Sequence, residues 1–294
     1  MRRLAPLIVL LLVPAFGLAQ DRFADVEIKA THVRGSVYML EGAGGNIGVS
    51  VGDDGILIVD DQFAPLADKI RAALAKLGDG KLQYVLNTHW HGDHTGGNAS
   101  FGVEVPIIAH RNVRKRMAAG QELLGRQVEP APHEALPVIT FDDSLTVHFN
   151  GEDIRMVHFP AGHTDGDSVV FFQQSNVVHM GDDLWTARFP FVDLSSGGNV
   201  LGLERSVREI LKDLPEDAIL IPGHGPLSTR KDLEDYQQML AESIELVRKK
   251  IDQGKSLEEI QQEGAPEGWA DWGSGWIKTD AWLETVHKSL SSGG

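Results

Sequence analysis

The chain has 294 residues, a formal charge of −15 and no Cys. Those facts exclude a disulfide-stapled scaffold and a thiolate metal site. The acidity, with no basic cluster or aromatic platform, argues against partners built on a phosphate backbone.

The chain opens with Arg2 and Arg3 ahead of an apolar stretch from Leu4 to Leu18, closed by Gly17-Leu18-Ala19, the small residues that a signal peptidase reads. That run is shorter than the roughly 20 residues needed to span a bilayer, and Pro6 and Pro14 interrupt it. We read residues 1–19 as a cleavable leader with no stable membrane anchor and the mature chain, at −17 once two Arg are lost, as periplasmic or secreted. Four short β-rich segments follow, Val26 to Ala30, Ser36 to Leu40, Asn46 to Val51 and Gly55 to Asp60, separated by Gly or Asp-Asp-Gly turns. Ala67, Ile70, Leu74 and Leu77 then recur at helical spacing and predict an amphipathic helix over Ala64 to Leu77.

From Leu82 to Gly225 strands alternate with helices or loops, including a helix over Asn199 to Leu214. The closing part is helical from Asp232 to Gln253 and again after Ser256, and passes through a Trp-rich stretch, Trp269 to Trp276. This order predicts a catalytic domain over residues 20–230 and a helical extension over 231–294 packed on the same domain.

The chemistry concentrates in Thr88-His89-Trp90-His91-Gly92-Asp93-His94, directly after the apolar-rich run Leu82 to Leu86. Neutral imidazole and carboxylate are the donors that zinc prefers, at roughly 2.0–2.1 Å. His89 and His91, two apart on an extended chain, leave on the same side and can hold one ion. Gly92 permits a sharp turn, after which Asp93 and His94 can face a second.

Three later segments each end a predicted strand: Gly162-His163-Thr164-Asp165, Gly181-Asp182 and Pro222-Gly223-His224-Gly225. With the His-x-His-x-Asp-His run they make the chain resemble the metallo-β-lactamase superfamily from about Val37 to Gly225. The resemblance implies an α/β (α+β) protein, an αββα four-layer sandwich with the metals at one edge. It implies one metal on His89, His91 and His163 and a second on Asp93, His94 and His224, with Asp182 bridging. Zinc, two per chain, is the expected cofactor, and the same donors also accept iron or manganese.

Such a pair, roughly 3.5–4 Å apart, would supply hydroxide at neutral pH for attack on a carbonyl, with Asp93 as the catalytic residue that orients it. Asp182 is a departure from one large group of true β-lactamases, which carry a Cys there. A carboxylate after Gly is the arrangement of the superfamily's thioesterases, lactonases and phosphodiesterases. Export places β-lactam ring opening first among the expected activities; a thioesterase or lactonase comes second, and a non-hydrolytic or iron redox member third. The expected partner is a small-molecule substrate and not nucleic acid; oligomeric state is left open.

Seven histidines fall outside the motifs: His32, His110, His133, His148, His158, His179 and His287. They read as surface or hydrogen-bonded residues, with His179 placed to support a ligand. Asp183 competes with Asp182 for the bridging position, which the family pattern gives to the residue directly after Gly. Asp60 and Asp61 read as supports for the motif loop. The segment Leu184 to Val192, with Trp185, Phe189, Pro190 and Phe191, suggests an aromatic wall or a clasp between loop and core. Trp185, Arg188 and Phe189 are its candidate substrate contacts, with Arg188 standing in for a Lys that many Cys-type β-lactamases place where Trp185 is.

Overall fold

A computed structural model describes residues 23–291; the leader expected over 1–19 lies outside them. Short turns fold the first strands, β1 (Lys29–Arg34), β2 (Val37–Glu41), β3 (Ile47–Gly52) and β4 (Gly55–Val59), into an antiparallel meander. A 3₁₀ turn at Ala64–Leu66 and helix α1 (Ala67–Leu74) return the chain so that β5 (Leu82–Asn87) pairs parallel with β4. β6 (Ile107–His110) and β9 (Ile139–Phe141) extend the parallel part and complete a seven-stranded sheet in the order β1-β2-β3-β4-β5-β6-β9. The single turns α2 (Gly92–Thr95) and α3 (Asn98–Phe101) lie between β5 and β6, and α4 (Arg111–Ala119) and a hairpin of β7 (Gln121–Leu123) and β8 (Arg126–Val128) lie between β6 and β9.

The second sheet contains β10 (Ser144–Phe149), β11 (Glu152–His158), β12 (Ser168–Phe172), β13 (Val177–Trp185), β14 (Ile219–His224) and β15 (Ser228–Thr229) in that order. Its strands are antiparallel except β13 and β14, which run parallel because α5 (Val200–Asp213) carries the chain back between them.

Period-two alternation builds the layers. On β4, Ile56 and Ile58 face outward to Ile70 and Leu74 of α1, while Leu57 and Val59 face inward to Ile154, Met156 and Phe172 of the second sheet. On the far side, Val178, Met180 and Leu220 pack under α5, α6 (Arg230–Asp252) and α8 (Thr279–Ser291), with α7 (Leu257–Glu263) adding Ile260. The result is helix, sheet, sheet, helix: the expected four-layer α/β sandwich. Residues beyond 230 form most of the outer helical layer, and Trp282 is tied into it by a 2.9 Å hydrogen bond from Nε1 to Ser243 Oγ. Each fully buried aliphatic or Phe side chain in these clusters contributes about 1.5–3 kcal/mol.

Two elements depart from expectation. The first strand lies at Lys29–Arg34 rather than Val26 to Ala30, and the first helix is a 3₁₀ turn followed by α1, ending at Leu74 instead of Leu77. Among the described residues no helix is long and apolar enough to cross a membrane.

Candidate metal centre

Because β4 and β5 run parallel, as do β13 and β14, their C-terminal ends gather at one edge of the sandwich. That edge holds two groups of donors: His89, His91, His163 and Asp182, and beside them Asp93, His94 and His224, the ligating atoms of each group lying within 4.8 Å of one another. These are the seven ligand positions expected from the sequence.

His89 and His91 leave the extended segment after β5, and His163 comes from the β11–β12 loop. His91 Nε2 meets Asp193 Oδ2 at 3.1 Å, and His163 Nδ1 meets the Phe191 carbonyl at 2.7 Å. Both partners only accept, so each outer nitrogen carries the ring's proton. The inner nitrogens, His91 Nδ1 and His163 Nε2, then face each other as lone pairs 2.8 Å apart. Two bare lone pairs at that distance repel, and His89 Nε2 beside them is buried with no hydrogen-bond partner. A cation resolves all three, and the donor set is one that zinc accepts.

The second group is built differently. Gly92 does not make a left-handed turn; it starts the single helical turn α2, which carries Asp93 and His94 away from the strand. A Cβ at Gly92 would meet nothing. His94 Nε2 lies 3.8 Å from Asp93 Oδ2 and 3.4 Å from His224 Nε2. His224 Nε2 lies 3.3 Å from Asp93 Oδ2.

Asp182 connects the groups. Its Oδ2 is 3.5 Å from His163 Nε2 and 3.9 Å from His89 Nε2, while its Oδ1 is 3.0 Å from His94 Nε2 and 3.4 Å from His224 Nε2. The register of β13 against β14 slips on both sides of Gly181, and the irregularity turns Asp182 to the centre. Asp183 turns instead to Asp167 and to the His163 backbone N–H at 3.4 Å. Burial pushes the Asp183 carboxyl up to about 7, so it acts as a hydrogen-bonded support. Backbone presses on the second group: a Cβ on Gly223 would overlap Asp182 Oδ1, and one on Gly45 would overlap the His94 ring.

One buried carboxylate orients ligands of both groups. Asp60, held at φ 66 directly after β4, accepts from Thr88 N and Thr88 Oγ1 and faces His94 Nδ1, each at 2.8 Å. With its proton given to Asp60, Thr88 Oγ1 accepts from His89 Nδ1 at 3.0 Å. His89 and His94 are thereby both fixed with Nε2 inward. Asp61 holds the Gly97 N–H instead, at 2.9 Å. His179 bonds no ligand; it reaches the Asn46 carbonyl at 3.0 Å, and Asn46 Nδ2 in turn holds the carbonyls of Pro222 and Gly225 on either side of His224.

In the metal-free protein the groups carry different charge. Burial pulls His163 down to about 4 and holds His89 well below the usual imidazole range. Burial also works against protonation of His224, but Asp182 and Asp93 outweigh it and raise the ring to about 9. For Asp93, burial opposes ionisation, but His94 and the hydrogen bond to His224 prevail and leave the carboxyl at about 2.

The candidate substrate contacts separate. Trp185 packs on His224 with ring centroids 4.5 Å apart. Phe189 is a correction: it faces away into the core, stacked on Trp282 at 5.3 Å. Phe191, two residues on, faces the centre at 5.8 Å from both His91 and His163. Arg188 is exposed and lies against Gly275. Trp276 stacks with Trp185 and touches Phe191, at 6.3 and 5.4 Å, so the Trp-rich C-terminal segment completes an aromatic wall. Asp193 and Trp276 belong to the site although no motif marks them; only Asp193, before Ser195 and Ser196, carries a local signal, that of a turn cap.

A family model described as the metallo-beta-lactamase superfamily matches residues 35–224. The lactamase-like protein aptB of Emericella nidulans is 30% identical over 46% of this chain, a match spanning 38% of that relative. The metallo-beta-lactamase type 2 of Bacteroides fragilis is 22% identical over 83% of this chain and 98% of its own length. The hydroxyacylglutathione hydrolase of Rhodospirillum rubrum is 29% identical over 54% of each chain. Among solved structures, the DIM-1 metallo-beta-lactamase superposes with a TM-score of 0.61 at 21% identity, covering 74% of this chain and 99% of its own. A double mutant of the sec-alkyl sulfatase PisA1 gives 0.69 at 15% identity, covering 90% and 50%.

Proposed function

The chain belongs to the metallo-β-lactamase superfamily, and from that premise we propose an exported, metal-dependent hydrolase of a small ester, thioester or lactone. The observation that carries the reading is Asp182, whose two oxygens are divided between two histidine groups. In the resemblance drawn from the sequence, that carboxylate goes with thioesterases and lactonases. When bound, a pair of ions, zinc in this reading, supplies Lewis acidity and lowers the pKa of water from about 15.7 towards about 7.

The protein's own groups provide the rest. Asp93 is ionised at neutral pH, and its side chain is 29% exposed at the mouth of the site, so it can accept a proton from attacking water and orient it. The Asp60 and Asp193 carboxylates and the Phe191 carbonyl hold ligand rings with their lone pairs inward. Trp185, Phe191 and Trp276 wall one side against solvent.

β-Lactam ring opening is the second reading, favoured by the relative from Bacteroides fragilis that the chain matches over nearly its whole length. Turnover of acyl-thioesters, lactones and a chromogenic cephalosporin, each with and without chelator, tests the choice. Chelator-sensitive turnover of thioesters or lactones is expected; turnover of the cephalosporin alone would move the assignment to the second reading.

A further inference from the structure

A cavity of about 490 Å³ is lined in part by Asp93 and by none of Trp185, Phe191 and Trp276. Phe63, Trp90, Met117, Leu123 and Ala131 line it together with Gly92 and Asp93 of the motif. Its volume lies within the range of small-molecule sites. The hairpin β7–β8 and the segment after it cover it, anchored where Ala131 N donates to the Met117 carbonyl at 2.8 Å.

The charges around the cavity select against an anion. Arg116, the cation among its lining residues, is committed: Nε and Nη2 hold Asp165 at 2.6 and 2.8 Å, and Nη1 holds Gln121 at 2.7 Å. The other charged lining residues, Asp93 and Glu129, are acids. Acidic lining groups, a neutralised Arg and apolar walls fit an uncharged hydrocarbon limb.

We propose that this cavity binds the apolar acyl limb of the substrate, seating its carbonyl carbon beside Asp93, so that the enzyme selects medium-length or similarly bulky aliphatic acyl groups. The assignment of the limb rests on the hydrolase reading; the cavity's taste for alkyl chains does not.

Two series separate these. Affinity for 1-alkanols from butanol to decanol, measured by calorimetry, is expected to rise about fourfold per methylene until the cavity fills, and kcat/KM on p-nitrophenyl alkanoates to follow the same slope. Ala131→Trp, which fills the cavity, and Leu123→Ser, which makes its wall polar, are expected to flatten the alkanol slope and lower the octanoyl-to-acetyl ratio of kcat/KM. Thermal melting identifies which variants are folded. A flat alkanol slope in the wild-type protein overturns the proposal, as does a steep one that both folded variants leave unchanged. A steep slope that the variants abolish, with no ester turned over, upholds the alkyl site and removes the hydrolase reading.

Discussion

The two halves of the metal centre lie side by side yet are held by different means. In the half made of His89, His91 and His163, the outer nitrogen of every ring has a hydrogen-bonding partner, and burial keeps His89 and His163 neutral. In the other half, His94 is fixed by Asp60, but His224 is oriented by packing against Trp185, and carboxylates keep it protonated in the metal-free protein. A cation entering the first half displaces no proton from His89 or His163; one entering the second must displace the proton of His224. Pre-organisation and charge are thus divided, with a rigid half whose His89 and His163 are neutral and a half whose loading is coupled to pH.

Asp182 is the residue common to both halves, and Asp182→Ala should abolish the difference by weakening both together. Its kcat/KM should fall beyond the ~10⁴-fold upper end for loss of a single proton-handling group, with metal content by mass spectrometry reduced. Asp93→Ala should lower kcat by roughly 10²–10⁴-fold while the His89, His91 and His163 half keeps its ion; a fully active variant would sink the role given to Asp93. Next in size, Asp193→Ala should weaken metal binding about 10–100-fold in the rigid half alone, whereas Asp60→Asn should weaken both, because Asp60 orients His94 directly and His89 through Thr88. Competition with a calibrated chelator measures each.

The smallest effect is the pH dependence. Affinity of the His224 half should decline as pH falls below about 9, while His163 should oppose loading of the rigid half only as pH falls towards 4. Stability of the chelated protein depends on the same two groups through linkage, with the sign for His224 reversed. The raised His224 contributes stability that is complete below its unfolded value of about 6.5 and is lost as pH rises through about 9. The depressed His163 costs stability as pH falls from about 6.5 to about 4. Parallel affinity slopes for both halves between pH 6 and 9 would remove the distinction.

The layers and the ligand positions were legible through the resemblance that the ordered motifs carry, whereas the alternation of β4 between two cores is hidden in the uniformly apolar run Ile56 to Val59. β1 was misplaced because its residues stay partly exposed and supply little alternation. The first helix was overextended because apolar spacing continues to Leu77 although the helix stops at Leu74. Phe189 and Phe191 lie two apart, but the irregular segment carrying them sends one to the core and the other to the site, a choice that depends on tertiary packing. Trp276, far along the chain, joins the aromatic wall through contacts with Trp185 and Phe191 that no local pattern encodes.

Gly45 and Gly223 carry no functional group, and they touch His94 and Asp182 with bare backbone. In a saturation library scored on turnover, both positions should group with the ligands, since even alanine puts a carbon where a donor atom must be. Gly92, inside the motif itself, should accept small side chains, because the space beyond it is open. The positions that mutation cannot touch and the letters that spell the motif are therefore overlapping but unequal sets.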